Sequence, residues 1–214
     1  FVVVPALAQI EACLRARGGL GESKSGGGGR GPSEEVLNAS LGIIASALGR
    51  EGVKLEEPSR ISGMIGSLAM LLSLPRKEIA EEIASAAIAA LEALLAAIGR
   101  SKKSREAMRG ESLAAPMGHL FSSLLAAAEA ERSRGRGGSR ELRALLLRSL
   151  SSALRTVGDG DALAFFLPGV LTGLAKTLTA DGGAGPPNAA AEASEALASL
   201  LELTLGDAAN TAAL

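Results

Sequence analysis

Residues 58–99, PSRISGMIGSLAMLLSLPRKEIAEEIASAAIAALEALLAAIG, hold the pattern that decides the fold. Ile61, Met64, Ile65, Leu68, Leu71 and Leu72 recur at three- and four-residue spacing and so line one face of a helix. Pro58-Ser59 opens that helix, because a proline in the first turn forfeits an N–H that would have no intrahelical partner there. Pro75 ends it and starts a second helix, read from about Arg76 to Ile98, with a stripe of Ile79, Ile83, Ala86, Ala87, Leu91, Leu94, Leu95 and Ile98. Gly99 followed by basic residues is a C-terminal signal. Two striped helices joined by a short connection form a pair, and such a pair buries its apolar face only by stacking on its neighbours.

The same punctuation extends in both directions. Upstream, Pro5 falls in the first turn of a helix reaching about Ala16, and Gly18 to Gly31 is a low-complexity connection closed by Pro32-Ser33, with Ser33 as an N-cap. Val36, Leu37, Leu41, Ile44 and Leu48 then mark a helix over Glu34 to Leu48. Downstream, a polar break from Arg100 to Gly110 precedes a helix from about Leu113 to Glu131, and a second break, Arg132 to Gly138, precedes one over Ser139 to Val157. Helices from about Asp161 to Thr179 and from about Pro187 to Leu205 complete the reading. Seven of the eight prolines read as helix starts. Eight helices, paired in order with first members near residues 2, 58, 114 and 161, predict an all-α fold. It is an α-solenoid of HEAT/armadillo-like antiparallel helix pairs, with a compact bundle as the competing architecture. Residues 1–214 read as one such unit, with flexible insertions near 18–32, 100–111 and 132–138.

Composition agrees. Apolar residues make up 47% of the chain but aromatics only 2%, with no Trp or Tyr, so the core must come from Leu, Ala, Ile and Val. Those side chains suit helix-on-helix contact better than a β-sandwich. The net charge of -1 gives no global attraction to nucleic acid or an acidic membrane. Cys13 is the only cysteine, which excludes an intramolecular disulfide or multi-thiolate metal site; it reads as a core residue in a reducing, intracellular compartment. The most apolar stretch, 79–98, is interrupted by Glu81, Glu82 and Glu92, so no membrane span is expected. The opening Phe1-Val-Val-Val, preceded by neither Met nor a basic region, reads as the interior of a longer protein.

Chemistry is sparse. His119 is the one histidine, with nothing nearby in sequence to complete a dyad. The adjacent carboxylates Glu34-Glu35, Glu56-Glu57 and Glu81-Glu82 diverge by about 100° on a helix. Gly26 to Gly29 lacks the Lys-Ser/Thr ending of a phosphate loop. No catalytic residue, cofactor or metal site is expected. Positive charge alone is uneven. Arg100, Lys102, Lys103, Arg105 and Arg109 share one break, and Arg132, Arg134, Arg136, Arg140 and Arg143 lie in or beside the other. Lys102, Lys103, Arg105, Arg134 and Arg136 are candidate contacts for an acidic partner. A nucleic-acid role is the lesser alternative, since no aromatic is interleaved to stack on bases. Strict alternation of helices puts the two breaks at opposite helix ends and implies no single basic groove.

The segment from Asp161 to Asp181, DALAFFLPGVLTGLAKTLTAD, resembles a signature stretch of the Tel-two-interacting protein one family. The resemblance rests on Phe165 or Phe166, then Leu167-Pro168-Gly169, Leu174, Leu178, Thr179 and Asp181, with Thr179-Ala180-Asp181 standing where Thr-Gly-Asp is the family pattern. The Phe1-x-x-Val4-Pro5 opening, the helix at Glu34 to Leu48 and the pair joined at Leu74-Pro75 agree in order. The resemblance implies the amino-terminal part of a long HEAT-repeat protein that scaffolds the TTT complex. Its partners there are Tel-two and the second Tel-two-interacting protein, and the complex is an adaptor of the heat-shock-protein-ninety chaperone for phosphatidylinositol-3-kinase-related kinases. It also implies location in the cytoplasm, with the nucleus as a second compartment, and leaves the family's partner-binding carboxy-terminal region outside the chain. The signature residues carry over as structure: Phe165, Phe166 and Leu167 as a plug between repeats, Pro168 as a kink or fresh start, and Gly169 as a point of close approach.

Overall fold

A computed structural model describes residues 3–18, 34–53, 55, 57–75, 79–108, 111–157, 161–180, 194 and 198. Among them are eight helices and no strand: α1 Val3–Gly18, α2 Glu34–Gly49, α3 Pro58–Ser73, α4 Glu81–Arg100, α5 Lys102–Met108, α6 Glu111–Ser133, α7 Arg140–Val157 and α8 Asp161–Ala180. A short 3-10 turn, Gly135–Gly137, links α6 to α7. The expected connection through Gly31, the Ser33 cap and, apart from Ser194 and Ala198, which are helical, the helix at about Pro187 to Leu205 lie outside the described residues.

The helices form two layers. In one, α1, α3, α6 and α8 pack in succession; in the other, α2, α4 and α7 do the same. Each layer is joined to the other through α1 with α2, α3 with α4, and α6 with α7. The most extensive interfaces run between pairs, α2 against α4 and α3 against α6. Neither α1 nor α2 has a substantial interface with α6, α7 or α8. That nearest-neighbour pattern is an α-solenoid and not a closed bundle. The expected stripe of α3 is buried throughout, and Cys13 is 1% exposed within the same core.

Several expectations change. Val36, placed on the buried stripe of α2, is 42% exposed, because it sits one residue, and so about 100°, from Leu37 on the helix surface. The helix expected from Arg76 begins at Glu81, with Ala80 extended as its N-cap (φ -67, ψ 155). Glu81 and Glu82 in the first turn suit the positive helix end, and they mark the start better than Pro75 does. Ile79 is still buried, in the connection and not on the helix. Pro116 and Pro168 lie inside α6 and α8, so they are not helix starts. The eight observed helices are also not the eight expected, since the stretch read as a polar break holds α5. Its Ser104 and Met108 are fully buried, and Ser104 Oγ donates to the Leu55 carbonyl. Ser101 caps it, accepting the Ser104 N–H on Oγ at 3.3 Å.

By length and composition α4 could cross a membrane. Here it is a core helix, buried along Ile83, Ala87, Leu91, Leu94 and Ile98 and packed against α2 and α7. Its polar residues make specific ties. Ser149 Oγ of α7, itself fully buried, donates to Glu92 Oε1 at 2.6 Å. At its C-terminus, the Arg100 guanidinium donates to the carbonyls of Leu48 and Gly49, the latter at 3.5 Å, and so supplies donors to orphan acceptors at the end of α2. Arg100→Ala should lower unfolding free energy by about 1–2 kcal/mol, as for a hydrogen bond from a charged donor. A denaturant midpoint that drops with an unchanged m-value would show it; an unmoved midpoint would show that water satisfies those carbonyls equally well.

Candidate interaction surfaces

The signature segment lies on α8, the last described helix of the first layer. Leu167 and Leu174 are fully buried and Val170 is 2% exposed, a stripe at i, i+3 and i+7 facing the stack. Phe166 is partly buried, and its ring meets Phe121 of α6 edge-on, with centroids 6.2 Å apart and planes at 65°. Pro168 and Gly169 are exposed, and α8 runs through both without a fresh start. The Thr172 hydroxyl donates to the Pro168 carbonyl at 2.7 Å. The side chains of Phe165 and Leu178, and Asp181 altogether, lie outside the described residues.

Close approach occurs at three other glycines, Gly138, whose Cβ would lie 1.9 Å from the Glu131 carbonyl oxygen, and two on the α6–α8 seam. A Cβ on Gly118 would lie 2.1 Å from Phe166 Cε1, and one on Gly173 would lie 2.7 Å from Leu125 Cδ1, whereas a Cβ on Gly169 would meet nothing within 4 Å. The role expected of Gly169 therefore belongs to Gly173, with Gly118 opposite. The seam is reciprocal: α6 offers a gap at Gly118 and a knob at Leu125, two turns on, and α8 offers a knob at Phe166 and a gap at Gly173, also two turns on. Numbers rise together along both helices, so α6 and α8 run parallel, as first members of successive pairs must. Composition could not single out Gly118. A glycine within a helical run signals packing, but not against which residue.

The basic residues act chiefly as structural donors. Arg105 donates to the Gly99 carbonyl at 2.7 Å, at the end of α4. Lys102 pairs with Glu106 at 3.8 Å, both strongly exposed, and Lys103 is exposed on α5. Arg134 lies 3.8 Å from Glu131, whose side chain is 3% exposed. Arg136 sits in the 3-10 turn. Arg132 grips Glu129 through both guanidinium arms and holds that carboxyl below its usual range. The α5 and elbow clusters are separated by α6, which at 23 residues spans about 35 Å. They form no single basic groove.

His119 is exposed but not isolated. Its Nδ1 lies 3.1 Å from Ser123 Oγ, one turn along α6, a pairing that the sequence reading did not expect. Ser123 is only 3% exposed, and the backbone N–H groups around it are within a helix. The pair therefore lacks the accessible nucleophile and oxyanion donors of a hydrolase. No group of three or more His, Cys, Asp and Glu among the described residues could hold a metal ion. Two open apolar surfaces remain. Ile43, 42% exposed, lines a shallow groove on α2 with Ala39, Gly42 and Ala47, and Val36, also 42% exposed, lies nearer the start of the same helix. Met70, 49% exposed, sits with Leu14, Gly63 and Gly66 in a groove between α1 and α3.

The seam generates a prediction. Phe166→Ala should cost about 2–4 kcal/mol, somewhat less than a fully buried ring, and Gly118→Ala about 1–3 kcal/mol through overpacking. In the Phe166→Ala background the Gly118→Ala cost should largely vanish. A double-mutant cycle read by chemical denaturation checks this, and additivity within about 0.3 kcal/mol would place the ring outside the Gly118 gap.

Neither the curated proteins nor the solved structures contain a match to the chain. A family model described as the TTI1 N-terminal TPR domain matches residues 23–213. TPR units are helix pairs of about 34 residues. The complete pairs here, beginning at Val3, Pro58 and Glu111, are longer members of the same stacked-pair architecture. Domains of this kind serve protein-protein interaction through the extended surface that stacking leaves. Because the match runs across nearly the whole helix stack, including the α6–α8 seam, the chain belongs to the TTI1 N-terminal TPR domain family.

Proposed function

We propose that this chain is a noncatalytic scaffold segment of the TTT co-chaperone complex. In this reading it works with Tel-two and the second Tel-two-interacting protein to present immature phosphatidylinositol-3-kinase-related kinases to the heat-shock-protein-ninety chaperone. The observation that carries the reading is the family match over residues 23–213. Its physical support is the division of labour within the stack. The apolar stripes of α3, α4 and α7 are consumed in burial, while Val36, Ile43 and Met70 leave apolar surface for partners. A generic adaptor with unrelated cargo is the second reading of the same surfaces. Nucleic-acid binding has less support, since Arg100 and Arg105 are engaged on helix-end carbonyls and the two basic clusters lie far apart. The proposed setting is the cytoplasm, and the nucleus as a second compartment.

Co-purification of the full-length protein from its own cells tests the reading. Tel-two, the second Tel-two-interacting protein and at least one kinase of that class should be recovered together. A reproducible but different set of partners would favour the generic adaptor, and recovery of none would sink the scaffold assignment. The charge contribution is tested separately. Lys102→Glu with Lys103→Glu should leave partner recovery within about twofold, as expected for exposed, screened charges. Affinity for RNA that fell steeply with added salt and with this charge reversal would instead establish the nucleic-acid reading.

A further inference from the structure

We propose that Ser139 is a phosphoacceptor for a basophilic serine/threonine kinase, and that its phosphorylation loosens the elbow between α6 and α7. The elbow, residues 133–139, reads Ser-Arg-Gly-Arg-Gly-Gly-Ser. Ser139 is the only serine or threonine in the chain with arginine at both -5 (Arg134) and -3 (Arg136). Guanidinium groups at those offsets suit kinases whose substrate groove presents carboxylates, since arginine pairs with them in a fixed fork geometry. Arginine at -3 alone also precedes Ser33, Ser112 and Ser151; none of them has a second arginine at -5, and Ser151 is 2% exposed in the middle of α7. Ser139 is partly exposed, Arg134 is exposed, and so are Gly135 and Gly137.

A kinase takes its substrate in an extended form, so the elbow must open without unfolding the stack. Its bonds are local. Gly137 N–H donates to the Arg134 carbonyl and Gly138 N–H to that of Gly135, both at 3.2 Å. Residues 133–139 include no apolar side chain, so opening exposes no apolar side chain of the elbow; what it breaks besides these turn bonds is the tie of Ser139 to Glu131 and the Ser139 cap of α7. Gly135 holds φ +58, a conformation that glycine adopts and leaves freely. In the transfer, Ser139 Oγ attacks the γ-phosphorus of ATP. The Oγ–P bond forms as the bond from that phosphorus to the β-phosphate oxygen breaks, ADP departs with the electron pair, and the hydroxyl proton passes to the kinase's general base.

The consequence follows from what Ser139 touches. Its N–H donates to Glu131 Oε2 at 2.9 Å, and its Oγ accepts the Leu142 N–H at 3.2 Å as the cap of α7. Phosphorylation adds nearly two negative charges to a residue already bonded to a buried carboxylate. The phosphate has Arg134 of the elbow, Arg140 next to it in sequence and the first N–H groups of α7 to draw on, so Glu131 is the anion displaced. The tie between the end of α6 and the start of α7 is then lost.

The test incubates the purified chain with ATP, magnesium and the catalytic domain of a kinase that reads arginine at -5 and -3, and maps phosphate by mass spectrometry. Ser139 should be the principal site. Ser139→Ala should abolish its labelling and Ser139→Thr retain it, and Arg134→Ala and Arg136→Ala should each lower kcat/KM about tenfold, the loss of one charge-assisted contact. A synthetic 132–142 peptide should show the same arginine dependence, independent of any effect of the substitutions on folding. Labelling elsewhere, indifference to the arginines, or a peptide that is labelled while the folded chain is not would overturn the site. Hydrogen exchange at the Ser139 amide should accelerate about tenfold on phosphorylation. That acceleration should be absent when Glu131→Gln removes the competing charge. Unchanged exchange in the phosphorylated chain would overturn the loosening.

Discussion

Burial between successive helix pairs, centred on α4, is the constraint on which the rest of the molecule depends. Its two sides go to α2 and α7, and without them Ile83, Leu91, Leu94 and Ile98 would face water. Each such side chain contributes about 1.5–3 kcal/mol when fully buried, which is enough, over several layers, to offset the ordering of long helices with few aromatic anchors. Alanine at Ala84, Ala87, Ala90 and Ala97 keeps that helix slim, and all four are buried, so neighbouring helices come close. Phe121 and Phe166 are exceptional in a core of this composition. They occur where α6 and α8 meet, and there Phe166 fills the gap at Gly118 as Leu125 fills the gap at Gly173.

Electrostatics in this chain serves the helix ends. Helices leave carbonyls without partners at their C-termini, and arginine, with its forked donors, satisfies more than one. Arg100 reaches the end of α2 and Arg105 folds back on the end of α4, so the first basic cluster reinforces the joints between pairs. The second cluster surrounds Glu131, a carboxylate almost wholly removed from water and held by the Ser139 amide and Arg134. A buried anion with specific partners is sensitive to any added charge, which gives the elbow a chemical handle that a purely apolar joint would lack.

Among the described residues, no group of three or more His, Cys, Asp and Glu side chains gathers at one place. Its product is surface. What a partner would meet is a row of helix faces with isolated apolar residues, Val36 and Ile43 on one layer and Met70 on the other, set among polar ones. That pattern accords with a family whose domain is defined by helical repeats.

Much of the stack was legible in the residues alone. Periodicity located the helices from α1 to α8, apart from α5, and their order into pairs, because a stripe at three- and four-residue spacing is a property of one helix and is written locally. The α3 stripe was read without error for the same reason. Which side of a helix is covered, however, is decided by neighbours distant in sequence. Val36 reads as core until α2 is seen against α4, and α5 reads as a loop until Ser104 finds the Leu55 carbonyl. Gly169 and Gly173 are equivalent in sequence, and only the approach of Leu125 distinguishes them. The sequence by itself determined the helices and their alternation, through local spacing; the tertiary structure decided the gaps, the knobs and the buried ties, because these exist only between elements that the chain brings together.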